Sequence, residues 1–413
     1  MYYYKLNDKT LISTFQYEDL MSITEEDASK DTSTIYLLKR LDPKTSRRSF
    51  SVTHPSLIFT KKEDLSLIQF NKSSYPQLPQ WLLKKIEDKQ VTAVNTLYED
   101  WQKVLNYALP KKWRIHIAGL GDVGGTLLIG LRLLGADVIE EIGIYDRDIH
   151  KLKRWEFEVN QISSLDGARL PNVKILEEEQ VFDCDLFAFC IAGRVPAVGE
   201  EQVDVRMVQL EENSKIINLY GKNAREAGFE GIFAVVSDPV DLLCKSVYLA
   251  SNRDADGNLD TMGLSPEQIR GYGLGVMNAR ALYYAKQSQD TQHFIKEGRA
   301  FGPHGQDLVI ADSIEHYNEA ISLFLTEKAR TANLELRKTG FKPYIAPALS
   351  SGALSIIATI KGEWHYSATF MGGVYMGSKN RLTQEGTEVE MLDLPDALYH
   401  RLETTYHKLR DAL

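Results

Sequence analysis

Hydrophobic and polar positions change their spacing along the first 110 residues. Up to about residue 75, short apolar runs rich in Tyr and Thr, such as 34–38 and 56–60, are separated by turn-forming residues. This pattern is typical of a small, mainly β region. From Leu78 to Pro110 the apolar positions recur every three or four residues, which predicts a helix that begins near Pro79. We therefore expect residues 1–110 to form a small α+β amino-terminal extension, of unknown role.

The order of predicted strands and helices changes at Trp113. A compact apolar strand over residues 114–118 is followed by a glycine-rich turn, then by a helical run that ends at Gly135, and then by a strand that ends at Asp146. This is a complete βαβ unit, and further strands and helices alternate after it. The alternation predicts a Rossmann-type parallel sheet, doubly wound with helices on both faces, over residues 111–248.

The last part of the chain has a mixed pattern. Helical spacing dominates after residue 250, strands return near residues 363–376, and a final helix is expected near 395–413. We interpret residues 249–413 as a mixed α/β carboxy-terminal domain.

The composition and net charge limit the classes of partner that we expect for this protein. The chain has 413 residues, of which 43% are hydrophobic and 25% charged, and its net charge is −9. The acidic balance argues against a nucleic-acid partner. No apolar stretch approaches the roughly 18 residues needed to span a bilayer, so we expect a cytoplasmic protein without a membrane partner.

The glycine turn predicts a dinucleotide site. Gly119 permits a tight turn, Gly121 lets a pyrophosphate approach the backbone, and Gly124 lets the helix pack on the strand. Asp146 lies 22 residues after Gly124, close to the spacing of an acid that binds the adenosine ribose. That acid would repel a 2′-phosphate, so NAD is the expected cofactor. A purely structural role for Asp146, as a cap of the following loop, is the alternative. The turn also contains Asp122 and Val123, which we assign to cofactor binding.

Four further segments occur in a specific order: 191–202, 236–241, 271–280 and 301–305. Together they resemble the lactate/malate dehydrogenase family of NAD-dependent 2-hydroxy acid dehydrogenases, over about residues 113–405. The resemblance implies NAD, a small carboxylate substrate and a homo-oligomer, either a dimer or a tetramer. It also implies that residues 249–413 form the substrate-binding domain. It also implies cofactor contacts from Ala192 and Gly193.

The resemblance assigns the chemistry to two residues. His304, in the segment Gly302-Pro-His-Gly, corresponds to the family's catalytic acid/base. Arg280 corresponds to the family's anchor for the substrate carboxylate, because its planar guanidinium matches two carboxylate oxygens.

The same segments depart from the family at several positions. Met277 stands where a carboxylate pairs with the histidine, so we expect His304 to lack that partner. Gln202 replaces an arginine that polarises the substrate carbonyl, with Arg194 and Arg206 as alternative sources of that cation. Asp238 replaces an asparagine and adds a negative charge near the substrate.

The family's main specificity position falls on Pro196, which is neither the lactate-type nor the malate-type residue. We assign Arg280, Arg194, Gln202 and Asp238 to substrate binding on these grounds.

Residues 252–260 imitate the first nine positions of a calcium loop, but position twelve is Gly263 instead of a glutamate. We interpret this segment as a polar surface loop and expect no metal site.

The sequence therefore favours an NAD-dependent oxidoreductase that moves hydride between NAD and a 2-hydroxy or 2-oxo carboxylate. The alternative is a catalytically degenerate NAD-binding protein that serves as a sensor or scaffold. A third reading is an oxidoreductase whose substrate supplies the groups that are missing at Met277 and Gln202.

Overall fold

A computed structural model of the chain describes residues 1–70, 75–165, 167–193 and 205–412. Its first 110 residues form a six-stranded mixed sheet in the order β3-β1-β2-β4-β6-β5, in which β2, β4 and β6 run parallel. The strands are β1 (Tyr2–Leu6), β2 (Lys9–Ser13), β3 (Met21–Ser22), β4 (Ile35–Lys39), β5 (Ser49–Ser51) and β6 (Val91–Asn95). Two α-helices, α1 (Glu25–Ser29) and α2 (Gln80–Glu87), and three 3-10 helices, Pro55–Phe59, Leu65–Ile68 and Trp101–Asn106, complete the region.

The predicted helix from Pro79 to Pro110 is wrong beyond its first two turns. Helix α2 ends at Glu87, and Val91–Asn95 becomes strand β6, which pairs with β4 and with β5. All five residues of β6 are buried, so sheet pairing and burial override the helical spacing of its apolar positions. The apolar run at 56–60 is also not a strand but lies mostly within a 3-10 helix.

The predicted Rossmann-type sheet is confirmed. Its parallel strands are β7 (Trp113–Ala118), β8 (Ile139–Tyr145), β9 (Asn172–Ile175), β10 (Leu186–Phe189), β11 (Ile232–Val235) and β12 (Ile269–Gly271). Their spatial order, β9-β8-β7-β10-β11-β12, is the classic doubly wound order. The intervening helices are α3 (Asp122–Leu134), α4 (Ile149–Asn160), α5 (Val205–Glu226) and α6 (Val240–Ser251).

The carboxy-terminal part continues the same sheet. Strands β15 (His365–Met371), β16 (Val374–Thr383) and β17 (Gly386–Val389) are added antiparallel beyond β12, giving nine strands in all. A separate hairpin pairs β13 (Arg299–Phe301) with β14 (Val309–Ala311). The helices are α7 (Leu274–Ala285), α8 (Phe294–Glu297), α9 (Glu319–Arg337), α10 (Leu354–Ile360) and α11 (Asp396–Asp411), with a π-helical turn at Pro347–Ala353.

The amino-terminal sheet shares a hydrophobic core with the end of the chain. Buried residues of β4 and α2, such as Leu37 and Leu82, belong to the same cluster as Phe301, Met376 and Leu398. The division of the chain at residues 110 and 248 stays a prediction, but the two ends are packed together across it. Among the described residues, no helix has the length and apolar character needed to cross a membrane.

Candidate active site

The glycine turn after β7 has the geometry of a phosphate-binding loop. Gly119 has a positive φ of 92°, and a Cβ added there would lie 2.8 Å from the backbone nitrogen of Ile191. A Cβ at Gly124 would collide with the carbonyl oxygen of Gly119. By contrast, a Cβ at Gly121 would meet no atom within 4 Å. Two glycines are thus needed for packing, whereas Gly121 borders open space.

That open space lies at the amino terminus of α3. Gly121 is the N-cap residue, and no side chain caps the helix. The first backbone N–H groups of α3 and the positive end of its dipole are therefore available to a pyrophosphate. Asp122 and Val123, assigned to the cofactor from the sequence, form the first positions of this helix. These residues fit a dinucleotide.

Asp146 directly follows β8 and lies against the glycine turn. Its Oδ2 accepts the backbone N–H of Leu120 over 2.8 Å, and its Oδ1 accepts that of Asp148 over 3.1 Å. Lys151 forms an ion pair with it at 3.1 Å. Burial alone would raise the pKa of Asp146, but these hydrogen bonds and Lys151 outweigh it and lower the pKa. The carboxylate is therefore ionised, lies beside the glycine turn and also caps the following loop.

Asn213 of α5 joins two loops at the carboxyl edge of the sheet. Its Oδ1 accepts the backbone N–H of Gly193 over 2.7 Å, and its Nδ2 donates to the carbonyl of Asp238 over 2.7 Å. Asn213 is buried. It therefore fixes the spacing between the loop after β10, which contains Ala192 and Gly193, and the loop after β11. The sequence reading missed this residue, since an asparagine within a long helix carries no distinctive motif.

His304 and Asp238 form the central pair of the site. Nδ1 of His304 lies 2.7 Å from Oδ1 of Asp238, and the histidine side chain is only 16% exposed. An ionised Asp238 accepts a hydrogen bond from an Nδ1–H, which leaves the Nε2 lone pair free to take a proton. The expectation that His304 lacks a carboxylate partner is therefore wrong. Asp238, not the position of Met277, supplies the carboxylate.

Two further features of the structure position His304. The backbone N–H of His304 donates to Oδ2 of the buried Asp241 over 3.2 Å. Gly273, at the start of α7, leaves room for the histidine, because a Cβ there would lie 2.7 Å from the Cβ of His304. Burial raises the pKa of Asp241 to about 7, although the contacts with His304 oppose the shift.

Arg280 lies on α7, one helical turn after Met277. Its Nη1 contacts the sulfur of Met277 at 3.4 Å, as expected for residues three positions apart on one helix face. Met277 itself is buried in an apolar cluster. Within the described part of the chain, no carboxylate lies within ion-pair distance of Arg280. Burial lowers the pKa of Arg280, while the charge of Asp238 acts in the opposite direction.

Several predicted positions lie outside the described residues, namely Arg194, Pro196 and Gln202. Helix α5 contains Arg206. The segment that imitates a calcium loop is held by protein contacts instead. Asp254 accepts the backbone N–H groups of Asp256 and Asn258, and Asp260 pairs with Arg225 at 2.6 Å. The described residues contain no group of three or more potential metal ligands.

Comparison of the sequence with known proteins finds lactate dehydrogenases. The chain is 29% identical to the L-lactate dehydrogenase of Oceanobacillus iheyensis over 170 residues, which are 41% of this chain and 47% of that protein. It is 26% identical to L-lactate dehydrogenase 2 of Staphylococcus aureus over 220 residues, or 53% of this chain and 63% of that protein. The matches thus span about half to three fifths of these relatives. No family model matches the chain.

Comparison of the fold gives the same group of proteins. A lactate dehydrogenase, MGS-M5, from a Medee basin deep-sea metagenome superposes with a TM-score of 0.59 at 20% identity, over 73% of this chain and 98% of the other. The malate dehydrogenase of Picrophilus torridus superposes with a TM-score of 0.57 at 17% identity, over 72% and 95%. Both comparisons thus show that this chain is similar to lactate and malate dehydrogenases, in sequence at 29% identity or less and in fold over about 73% of its length.

Proposed function

We propose that this protein is an NAD-dependent oxidoreductase that interconverts a 2-hydroxy and a 2-oxo carboxylate. The observation that carries the proposal is the pair of His304 and Asp238, 2.7 Å apart, at the edge of the sheet that also bears the glycine turn. Such a pair can take up and return one proton near neutral pH. Ligands of doubly wound sheets bind at this carboxyl edge.

His304, Asp238 and Arg280 have separate roles in the proposed reaction. Nε2 of His304 takes the hydroxyl proton of the substrate during oxidation and returns it during reduction. Asp238 orients the imidazole and stabilises its protonated form, as carboxylates do for catalytic histidines. NAD, when bound, would supply the acceptor for the hydride that leaves the carbinol carbon. Arg280 has no carboxylate partner among the described residues, and it binds the carboxylate of the substrate.

The cofactor half of the site uses other residues. The amino terminus of α3 would hold the pyrophosphate, because it has free backbone N–H groups and Gly121 borders open space there. Asp146 accepts from the adenosine ribose and disfavours a 2′-phosphate. Lys151 reduces this discrimination in part, because it neutralises some of the negative charge. We infer a preference for NAD over NADP and, from the family, a soluble cytoplasmic homo-oligomer.

A direct assay tests the proposal. The purified protein is incubated with NAD or NADP and a panel of 2-hydroxy acids, and formation of the reduced cofactor is followed by absorbance. We expect turnover with at least one 2-hydroxy acid, loss of turnover in His304→Gln, and tighter binding of NAD than of NADP. Binding of NAD without turnover on any acid of the panel would favour the degenerate sensor or scaffold instead. Absence of binding to either cofactor would overturn both.

A further inference from the structure

A cavity of about 570 Å³ lies between the amino-terminal sheet and the amino ends of parallel strands in the nine-stranded sheet. One wall includes Thr34 and Thr92 of the amino-terminal region, and the opposite wall includes Ile232 and Arg270, at the starts of β11 and β12. Small-molecule sites usually measure about 300–1,000 Å³, so the cavity has the size of a ligand site. The proposed active site lies at the carboxyl ends of these strands and is therefore separate from it.

Arg270 is the unusual residue of this cavity. It is 1% exposed, and its guanidinium donates to two neutral oxygens, Oδ1 of Asn380 at 3.0 Å and Oγ1 of Thr387 at 2.5 Å. Its Nε has no hydrogen-bond partner among the described residues. No carboxylate of the described residues lies within 4.0 Å of its guanidinium nitrogens. Burying an unpaired charge is strongly unfavourable, so proteins normally place an opposite charge beside it.

The other cations around the cavity are already paired. Lys103 lies 2.9 Å from Glu230, and Arg48 lies 2.5 Å from Asp100. Arg270 is therefore the lining cation, among the described residues, that has no carboxylate within 4.0 Å. Glu267 also lines the cavity, but it pairs with Arg48 at 3.6 Å and attracts Arg270 only from a greater distance. The wall also carries Tyr107, which is 47% exposed. A phenol hydroxyl is protonated at neutral pH, so that of Tyr107 can donate a hydrogen bond.

We propose that this cavity binds a small organic anion, through a carboxylate or phosphate group whose charge is balanced by Arg270. Tyr107, which also lines the cavity, donates a hydrogen bond to the same ligand. This site is distinct from the proposed dehydrogenase site, because the two lie at opposite edges of the parallel strands. The amino-terminal region, whose role the sequence leaves open, then forms one half of a binding site. This inference does not depend on the proposed function.

Calorimetric titration of the full chain tests the proposal, with inorganic phosphate and succinate as separate probes at constant ionic strength. The titrations are made in an Arg280→Gln background, so that anion binding at the proposed active site does not contribute. We expect saturable binding of one molecule of at least one probe, unchanged by NAD. The probe that binds identifies the anion as phosphate or carboxylate.

Two variants locate the bound anion. Arg270→Gln should weaken binding about tenfold or more, since a hydrogen bond to a charged group is lost. Tyr107→Phe should weaken it by a smaller factor without loss of stability, because the described structure gives the Tyr107 hydroxyl no protein partner. Arg154→Gln, which removes an exposed guanidinium of α4, is the control and should have no effect.

Hydrogen exchange in the protein with an unmutated cavity tests the proposal even if Arg270→Gln does not fold. With saturating probe, hydrogen exchange should slow in residues 104–108 and 382–387, which line the cavity. Absence of saturable binding overturns the proposal. Full probe affinity in a folded Arg270→Gln variant also overturns it. If that variant is unfolded, the proposal is overturned when the wild type binds the probe and hydrogen exchange is unchanged in both segments.

Discussion

Asp238 and His304 lie 66 positions apart in the sequence, yet their side chains meet at 2.7 Å. Asp238 follows β11, and His304 lies in the loop between β13 and β14. The backbone carbonyl of Asp238 is held by Asn213 and the backbone N–H of His304 by Asp241. Both members of the pair are thus fixed through their main chains as well as through each other.

We expect Asp238→Asn to lower kcat/KM for the hydroxy acid substrate by about 10²–10⁴-fold, the range of general acid–base catalysis. The amide is similar in size but no longer stabilises a protonated His304. Steady-state kinetics across pH measure the effect, and the rate profile should change its shape as well as its height. Glu403→Gln is a matched control, because Glu403 lies 3.5 Å from His400 in an exposed pair on α11. Values of kcat/KM within about twofold of wild type would contradict the assignment.

Arg280→Lys should raise KM for the carboxylate substrate by about 10–100-fold, with a smaller effect on kcat. Lysine keeps the positive charge but cannot offer two parallel N–H groups to a carboxylate. Initial-rate measurements over a wide range of substrate concentration separate the two constants. The control is Arg330→Lys, an exposed substitution on α9. An unchanged KM in Arg280→Lys would place the substrate carboxylate elsewhere.

Sequence reasoning predicted those features of the candidate site that have a local motif or a fixed order along the chain. The turn from Gly119 to Gly124 carries its own local signature, and its steric requirements at Gly119 and Gly124 are those the structure shows. The order of segments around Arg280 and His304 also pointed to a common site. These signals are local or ordered along the sequence, so one chain is enough to read them.

The remaining parts depend on packing that a single sequence does not reveal. The missing carboxylate at Met277 suggested an unpartnered histidine, because the compensating Asp238 comes from a different loop. Asn213 was missed for the same reason, since its role exists only once α5 packs beside the loops after β10 and β11. Strand β6 was missed because its apolar spacing fits a helix until β4 and β5 pair with it.

The glycine turn allows a paired test of fold against cofactor binding. Gly119→Ala should destabilise the protein by about 1–3 kcal/mol, because its φ of 92° and the nearby Ile191 leave no room for a side chain. Gly121→Ala should leave stability nearly unchanged and weaken NAD binding by about tenfold, because the methyl group occupies space that the pyrophosphate needs. Thermal unfolding and fluorescence titration with NAD measure the two effects. Full NAD affinity in Gly121→Ala would place the cofactor elsewhere.

Asp241 gives a prediction about stability and pH. Burial raises its pKa in the folded protein from the ordinary value of 3.8 to about 7. Between these values the folded state binds a proton that the unfolded state has released, so the free energy of unfolding falls as pH rises. Asp241→Asn removes this titration while keeping an oxygen that accepts the His304 backbone N–H.

The free energy of unfolding of Asp241→Asn, relative to wild type, should therefore increase from pH 4 to pH 7 and level off above that. The shift corresponds to roughly 4 kcal/mol at most. Urea unfolding at closely spaced pH values measures the difference. Asp254→Asn, which changes an acid in an exposed loop, provides the comparison and should give no such rise. A difference between Asp241→Asn and wild type that stays constant from pH 4 to pH 8 would mean that Asp241 is ionised in the folded protein throughout this range.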